Sequence, residues 1–221
     1  MAADKGEIMA QYFLNEKKDK VERFRHLNKY VQKGQILFTG SSLMEQFPIQ
    51  EIMLNHGVHK TVYNRGIGGY TIPEMLNAMN EQIFDLEPSK IFINIGTNDI
   101  SIEEETEEKL ESDYRQVLAQ IKERLPETKV YLMAYYPVNI EVAKIRGWKG
   151  GDIVAQRRLD RLDKANAAVK RLADEFGYNY IDVNEGLTME NGQTIPEMSI
   201  DGIHMYSDAY EIIFKNIEKY L

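Results

Sequence analysis

The sequence predicts an α/β domain built on a parallel sheet, and three observations predict it. Short β-prone runs alternate with helical stretches along most of the chain. One run, Lys90 to Ile95 (KIFINI), is almost continuously apolar, the pattern of a central parallel strand covered on both faces. The run Ile36 to Thr39 passes through Gly40-Ser41-Ser42 straight into a helical segment, which holds a small side chain at the mouth of the sheet, where open α/β folds bind their ligands.

Residues from about 4 to 32 read as a helix, with Ile8, Tyr12, Val21, Phe24, Leu27 and Val31 at helical intervals around a charged middle. That face should pack on its own domain or on a second subunit, so a homodimer is left open. The stretch 1–33 is therefore set apart from the domain proper, 34–221. Gly34 ends the helix, and Ile36 to Thr39 form the first strand. Thr61 to Tyr63 make a second strand that runs into NRGIGGYT. Thr71 and Glu74 then give a capping box, with Pro73 close behind the cap, opening a helix to about Asp85. Pro88 separates this helix from the third strand, which exits into Gly96-Thr97-Asn98-Asp99.

Ser101 and Glu104 read as a second capping box, starting a helix from about Ile102 to Leu125, with the acidic run Glu103 to Glu108 at the positive end of its dipole. Val130 to Ala134 supply a fourth strand. Tyr135 to Asp152 shows no clear periodicity and holds Trp148 among glycines, the character of a lid or specificity loop. Leu159, Leu162, Ala165, Val169, Leu172 and Phe176 define the next helix, closed by Gly177. A fifth strand, Tyr178 to Val183, and a final helix, Ser207 to Tyr220, complete the chain.

Composition narrows the function classes. The 221 residues are 43% hydrophobic and 28% charged, as expected of one globular domain. No Cys is present and the four His are scattered, so neither a disulfide framework nor a spaced zinc motif is available. A net charge of −8 argues against a nucleic-acid partner. No apolar run approaches the ~18 residues of a membrane span, and the amino-terminal stretch is charged where a secretory signal has its apolar core. The expectation is a cytoplasmic protein without a membrane span.

Four strand ends carry residues suited to chemistry. Ser42 is a candidate nucleophile, although a Ser after a strand is also an ordinary helix cap. The glycines between Asn64 and Thr71 free backbone amides for an anion or oxyanion, or simply mark a tight loop. Asn98 can present amide donors to a reacting oxygen or satisfy its own turn. In Asp201-Gly202-Ile203-His204, the spacing lets the carboxylate reach one ring nitrogen while the other faces outward as a base.

With these motifs assembled, the sequence resembles the SGNH hydrolase family, also called GDSL esterases, and in particular its members similar to platelet-activating-factor acetylhydrolase. The resemblance runs from about Ile36 to the end. Gly40-Ser41-Ser42-Leu43 matches the block carrying the nucleophile, and Asn64 to Thr71 the block carrying the oxyanion glycine, which falls on Gly69. Gly96 to Asp99 matches the GxND block, and Asp201 to His204 the DxxH block. Ser41 stands where the family commonly has Asp.

The resemblance implies a three-layer, flavodoxin-like α/β/α fold with a five-stranded sheet in the order 2-1-3-4-5. It also implies hydrolysis of a small acyl ester, with a short acyl group such as acetyl on a sugar or lipid-like alcohol, without metal or organic cofactor. Ser42, Asp201 and His204 then take the catalytic roles, with Gly69 and Asn98 in the oxyanion hole. Arg65, Tyr70, Tyr136, Trp148 and Met205 neighbour the motifs and are candidates for the substrate pocket. The competing reading is a non-catalytic module that holds a phosphate or sugar in the glycine-rich loops.

Overall fold

The computed structural model describes residues 5–221; Asp4, where the first helix is expected to begin, lies outside them. The elements follow in the order α1 (Lys5–Leu27), β1 (Ile36–Gly40), α2 (Ser42–Glu45), α3 (Ile49–Asn55), β2 (Val62–Gly66), α4 (Ile72–Asn77) and α5 (Met79–Gln82). They continue with β3 (Lys90–Asn94), α6 (Glu107–Arg124), β4 (Lys129–Met133), α7 (Ile140–Arg146), α8 (Gly151–Phe176), β5 (Asn179–Ile181) and α9 (Ser207–Ile217). The strands form one five-stranded sheet in the order β2-β1-β3-β4-β5, with every pairing parallel. This is the architecture and the order that the sequence implied.

Side chains alternate across the sheet, and each face closes a separate core. Leu37, Ile91, Ile93, Val130 and Leu132 pack under α4, α5, α6 and α8. Ile36, Phe38, Phe92, Tyr131, Met133 and Ile181 pack under α2, α3 and α9. The order reverses at β1, which pairs with β2 on one side and β3 on the other, so the loops after these strands open a crevice at their carboxyl ends.

α1 lies against its own chain. Val21 and Phe24 pack on the first core. Arg25 pairs with Glu81, and Asn28 donates to the Glu81 carbonyl at 2.8 Å. The amino-terminal half of the helix leaves Ile8, Met9, Tyr12 and Phe13 exposed.

Two local expectations are corrected. The helix expected from Ile102 begins at Glu107, and Thr106 caps it by accepting from the Lys109 amide at 3.2 Å. Ser101 cannot serve as the cap because its hydroxyl donates to the Thr97 carbonyl at 2.8 Å and accepts from Arg158 at 2.6 Å. Only Glu107 and Glu108 of the acidic run then occupy the first turn. The stretch Tyr135 to Asp152 is also not all loop. Asn139 accepts from the Val142 amide at 2.9 Å and caps the seven-residue α7. That helix is too short for its apolar residues to show a period.

Candidate active site

The turn from β1 into α2 is built by close approach of backbone. β1 ends at Gly40, Ser41 is extended, and α2 starts at Ser42. β2 passes beside this turn, and a Cβ at Gly66 would lie 2.2 Å from the Glu45 nitrogen, so only glycine fits there. Neither serine hydroxyl caps α2. Ser41 is fully buried, and its hydroxyl meets that of Thr97 at 3.4 Å. Ser42 Oγ points instead to His204 Nε2, 3.0 Å away.

His204 and Asp201 come from the loop that precedes α9. His204 Nδ1 lies 2.7 Å from one Asp201 oxygen, while the other accepts from the backbone amides of His204 at 2.8 Å and Ile203 at 3.0 Å. Burial pushes the Asp201 carboxyl up, but the hydrogen bonds from His204 and the amide of Ile203 outweigh it and hold the group well below the usual carboxylate range. An ionised carboxylate only accepts, so Nδ1 carries the ring proton and Nε2 is left to accept from the Ser42 hydroxyl.

Asn98 faces this chain from the end of β3. Its Nδ2 donates to the Tyr70 carbonyl at 2.8 Å, which ties it to the glycine loop, and a second N–H remains on the same nitrogen. Its Oδ1 accepts from Arg158 Nη2 at 2.8 Å. Arg158 is buried, and burial lowers its guanidinium to about 10 against the opposing pull of Asp201. The Arg158 contact fixes which end of the Asn98 amide is nitrogen.

Asp99, also buried, accepts from the Ile72 amide at 3.0 Å and so joins the β3 exit to the start of α4. Gly69 has φ of +74°. The Gly68 amide donates to Glu45 at 2.7 Å, whereas the amides of Ser42 and Gly69 have no backbone acceptor among the described residues. No three His, Asp or Glu side chains gather where they could hold a metal ion among the described residues.

The structure brings Ser42, Gly69, Asn98, Asp201 and His204 to one end of the sheet, but the pocket candidates are scattered. Arg65 is buried beneath α1, donating to Asn28 Oδ1 at 3.0 Å with its guanidinium over the Phe24 ring. It serves the packing of α1, not the crevice. Tyr136 and Met205 belong to the core under α9, where the Tyr136 hydroxyl meets Met44 Sδ at 3.8 Å. Tyr70 packs in the opposite core, offering the site only its backbone carbonyl. Trp148 remains at the surface, half exposed, in the turn between α7 and α8. Its neighbour Gly147 abuts the Asp201 carbonyl, which a Cβ there would approach to 3.1 Å.

Arg158 was not singled out among the candidates, although the sequence carries a signal for it. Ala155, Arg158, Leu162, Ala165, Val169 and Leu172 recur at three- and four-residue intervals, so one cation sits on an apolar stripe.

Comparison with known proteins decides the family. A profile of the GDSL-like lipase/acylhydrolase family matches residues 48–212, more than half of the chain. The chain belongs to the GDSL-like lipase/acylhydrolase family. The GDSL-like match includes Gly69, Asn98, Asp201 and His204 and begins just after Ser42. No curated protein matches the chain.

Among solved structures, a candidate platelet activating factor protein from Streptococcus pneumonia is 27% identical, covers 97% of this chain and 96% of its own, and superposes with a TM-score of 0.85. A GDSL-like lipase from Bacteroides thetaiotaomicron shares the fold at 20% identity and a TM-score of 0.72, covering 91% of this chain and 98% of its own. So does an acetylxylan esterase from Geobacillus stearothermophilus, at 14% identity and a TM-score of 0.63, covering 86% of this chain and 94% of its own. The fold is that of the SGNH hydrolases, and the protein is a carboxylic ester hydrolase of the GDSL-like class.

Proposed function

We propose that the protein is a serine esterase that cleaves a short-chain acyl ester, with acetyl as the favoured acyl group, through an acyl-enzyme. The observation that carries this reading is the hydrogen-bonded chain from Ser42 Oγ to His204 Nε2 at 3.0 Å and from His204 Nδ1 to Asp201 at 2.7 Å. His204 takes the hydroxyl proton as Ser42 Oγ attacks the ester carbonyl, and Asp201 stabilises the imidazolium that forms. The carbonyl oxygen becomes an oxyanion, received by the amides of Ser42 and Gly69 and the free N–H of Asn98.

Collapse of the tetrahedral intermediate breaks the bond to the alcohol, which leaves with the proton from His204. Water, deprotonated by the same ring, then attacks the acyl-enzyme and releases the acid. The preference for a short acyl group rests on the resemblance to acetylhydrolase-like members of the family.

Turnover of p-nitrophenyl esters from acetate to octanoate tests this reading. The native protein should favour the shortest esters, and Ser42→Ala and His204→Ala should each lose nearly all turnover. Equal hydrolysis by native protein and Ser42→Ala would refute it.

A further inference from the structure

The glycine loop after β2 is held by side chains from outside it. Of the amides from Ile67 to Ile72, that of Gly69 alone has no acceptor among the described residues. Ile67 donates to the Gly40 carbonyl at 3.0 Å, Gly68 to Glu45 at 2.7 Å, Tyr70 to the Ile67 carbonyl at 3.2 Å, Thr71 to Glu74 at 2.9 Å and Ile72 to Asp99 at 3.0 Å. Two of these acceptors, Glu45 and Glu74, are gripped in turn by α1. Lys20 Nζ lies 2.9 Å and 3.1 Å from the two Glu45 oxygens, and Lys17 Nζ lies 2.7 Å and 2.8 Å from those of Glu74. Lys17 also donates to the Gly69 carbonyl at 2.8 Å.

We infer that Lys17 and Lys20 of α1 are positioning residues for the oxyanion hole, holding the Gly69 amide where the reaction needs it. The inference rests on the serine-esterase reading, in which that amide receives the oxyanion. Gly68 and Gly69 in succession leave the backbone free to rotate, and a group misplaced by about 1 Å can cost on the order of 10²-fold in rate. The amide belongs to the peptide between Gly68 and Gly69. Lys20, through Glu45, fixes the N–H of the peptide before it, and Lys17 fixes the carbonyl of the peptide after it. These contacts saturate both ammonium groups, so their effect is on the loop rather than on a ligand. Arg25 gives the contrast, because it fastens the same helix to Glu81 of α5 instead, at 2.6 Å.

The test measures kcat and KM for p-nitrophenyl acetate and for p-nitrophenyl thionoacetate, in which sulfur, a weak acceptor, replaces the carbonyl oxygen. The proteins compared are native, Lys17→Met, Lys20→Met, the double variant, Lys17→Arg and Arg25→Gln. Met keeps an apolar stem and removes the ammonium. With the oxygen ester, kcat should fall about tenfold in each single Met variant and roughly 10²–10³-fold in the double, as when a whole donor is lost, with KM within about twofold of native. With the thiono ester each fall should be at most about threefold, because sulfur draws little from the hole even in native protein. Lys17→Arg keeps a cationic donor and should recover most of the lost kcat. Arg25→Gln should keep native kcat even where it melts at a lower temperature.

Equal falls for the two esters, or a fall in Arg25→Gln as large as in Lys17→Met, would mean that the lysines only dock α1, and overturns the inference. Native kcat in the double variant overturns it too, while the esterase reading stands. A native protein that does not cleave p-nitrophenyl acetate overturns the esterase reading and the inference with it.

Discussion

Replacing Arg158 by Met should slow the reaction by loosening the hold on Asn98. The guanidinium makes two hydrogen bonds, to Asn98 Oδ1 at 2.8 Å and to Ser101 Oγ at 2.6 Å, and neither acceptor is a carboxylate. Met is of similar length and fills the space, but it leaves Asn98 Oδ1 and Ser101 Oγ without their donor, so a loss of about 1–3 kcal/mol in stability should accompany the slower reaction. The cost falls on Asn98, whose amide keeps only its Tyr70 anchor.

Complete loss of an oxyanion donor costs ~2.7–4 kcal/mol. With one of two anchors left, about half that is expected, roughly 1.5–2 kcal/mol, or a 10–30-fold fall in kcat at 1.36 kcal/mol per decade. KM should stay nearly constant. The assay is steady-state hydrolysis of p-nitrophenyl acetate, run beside thermal melting. Arg158→Lys, reaching one acceptor only, should fall between. Arg158→Met combined with Asn98→Ala should be no slower than Asn98→Ala alone, because both act through one amide. Multiplying losses in the double variant, or a kcat within twofold of native in Arg158→Met, would refute the reasoning.

Other outcomes follow from the same geometry. Burial pushes the Asp99 carboxyl up to about 6, against the Ile72 hydrogen bond that lowers it. Stability linked to this group is therefore fully present below its ordinary value of 3.8 and lost as pH rises through about 6. Asp99→Asn keeps an acceptor for Ile72 and should be more stable than native protein at pH 7, by on the order of 3 kcal/mol. The gain should vanish below pH 4 in urea titrations; a gain independent of pH would contradict the assignment.

Asp201 has the opposite sign, its stabilisation being present above its ordinary value and lost as pH falls below it. Asp201→Asn should cut kcat by about 10⁴ through the wrong His204 tautomer; a loss below tenfold would remove Asp201 from the mechanism. Gly69→Ala places a side chain at φ +74° with its Cβ 3.1 Å from Lys17 Cε. It should cost about 1–2 kcal/mol in stability and lower kcat with little effect on KM; unaltered kcat would dissociate Gly69 from the oxyanion.

What was legible in the sequence followed from periodicity and from turns. The run KIFINI reads as a central strand because both its faces are covered, and β3 lies between β1 and β4. Thr71 and Glu74 make the capping box that their spacing specifies. The residues after β1, β2 and β3, and those before α9, were legible as chemistry because four motifs fell in order at successive ends of the sheet, although each alone has an ordinary structural role.

What failed were inferences from sequence proximity. Tyr136 and Met205 sit close to motifs along the chain, yet both turn into the core under α9 from outside the strands, where no period marks which way a side chain faces. Arg65 follows a motif Asn but lies on a strand whose exposed end is covered by α1, a contact that no local pattern encodes. Ser101 and Glu104 fit a capping box, but Arg158, 57 residues away, claims the serine hydroxyl. Arg158 itself was hidden by the arginines around it. Arg157 and Arg161 donate to backbone carbonyls after β3, so the run resembles one solvated face although its middle member is buried.

The central claim is that Ser42 is the nucleophile, and covalent labelling tests it most directly. Treatment with a fluorophosphonate should add one phosphonyl group to the intact protein, on a peptide containing Ser42, and leave Ser42→Ala unmodified. An unlabelled native protein, or an adduct that persists in Ser42→Ala, would contradict the account.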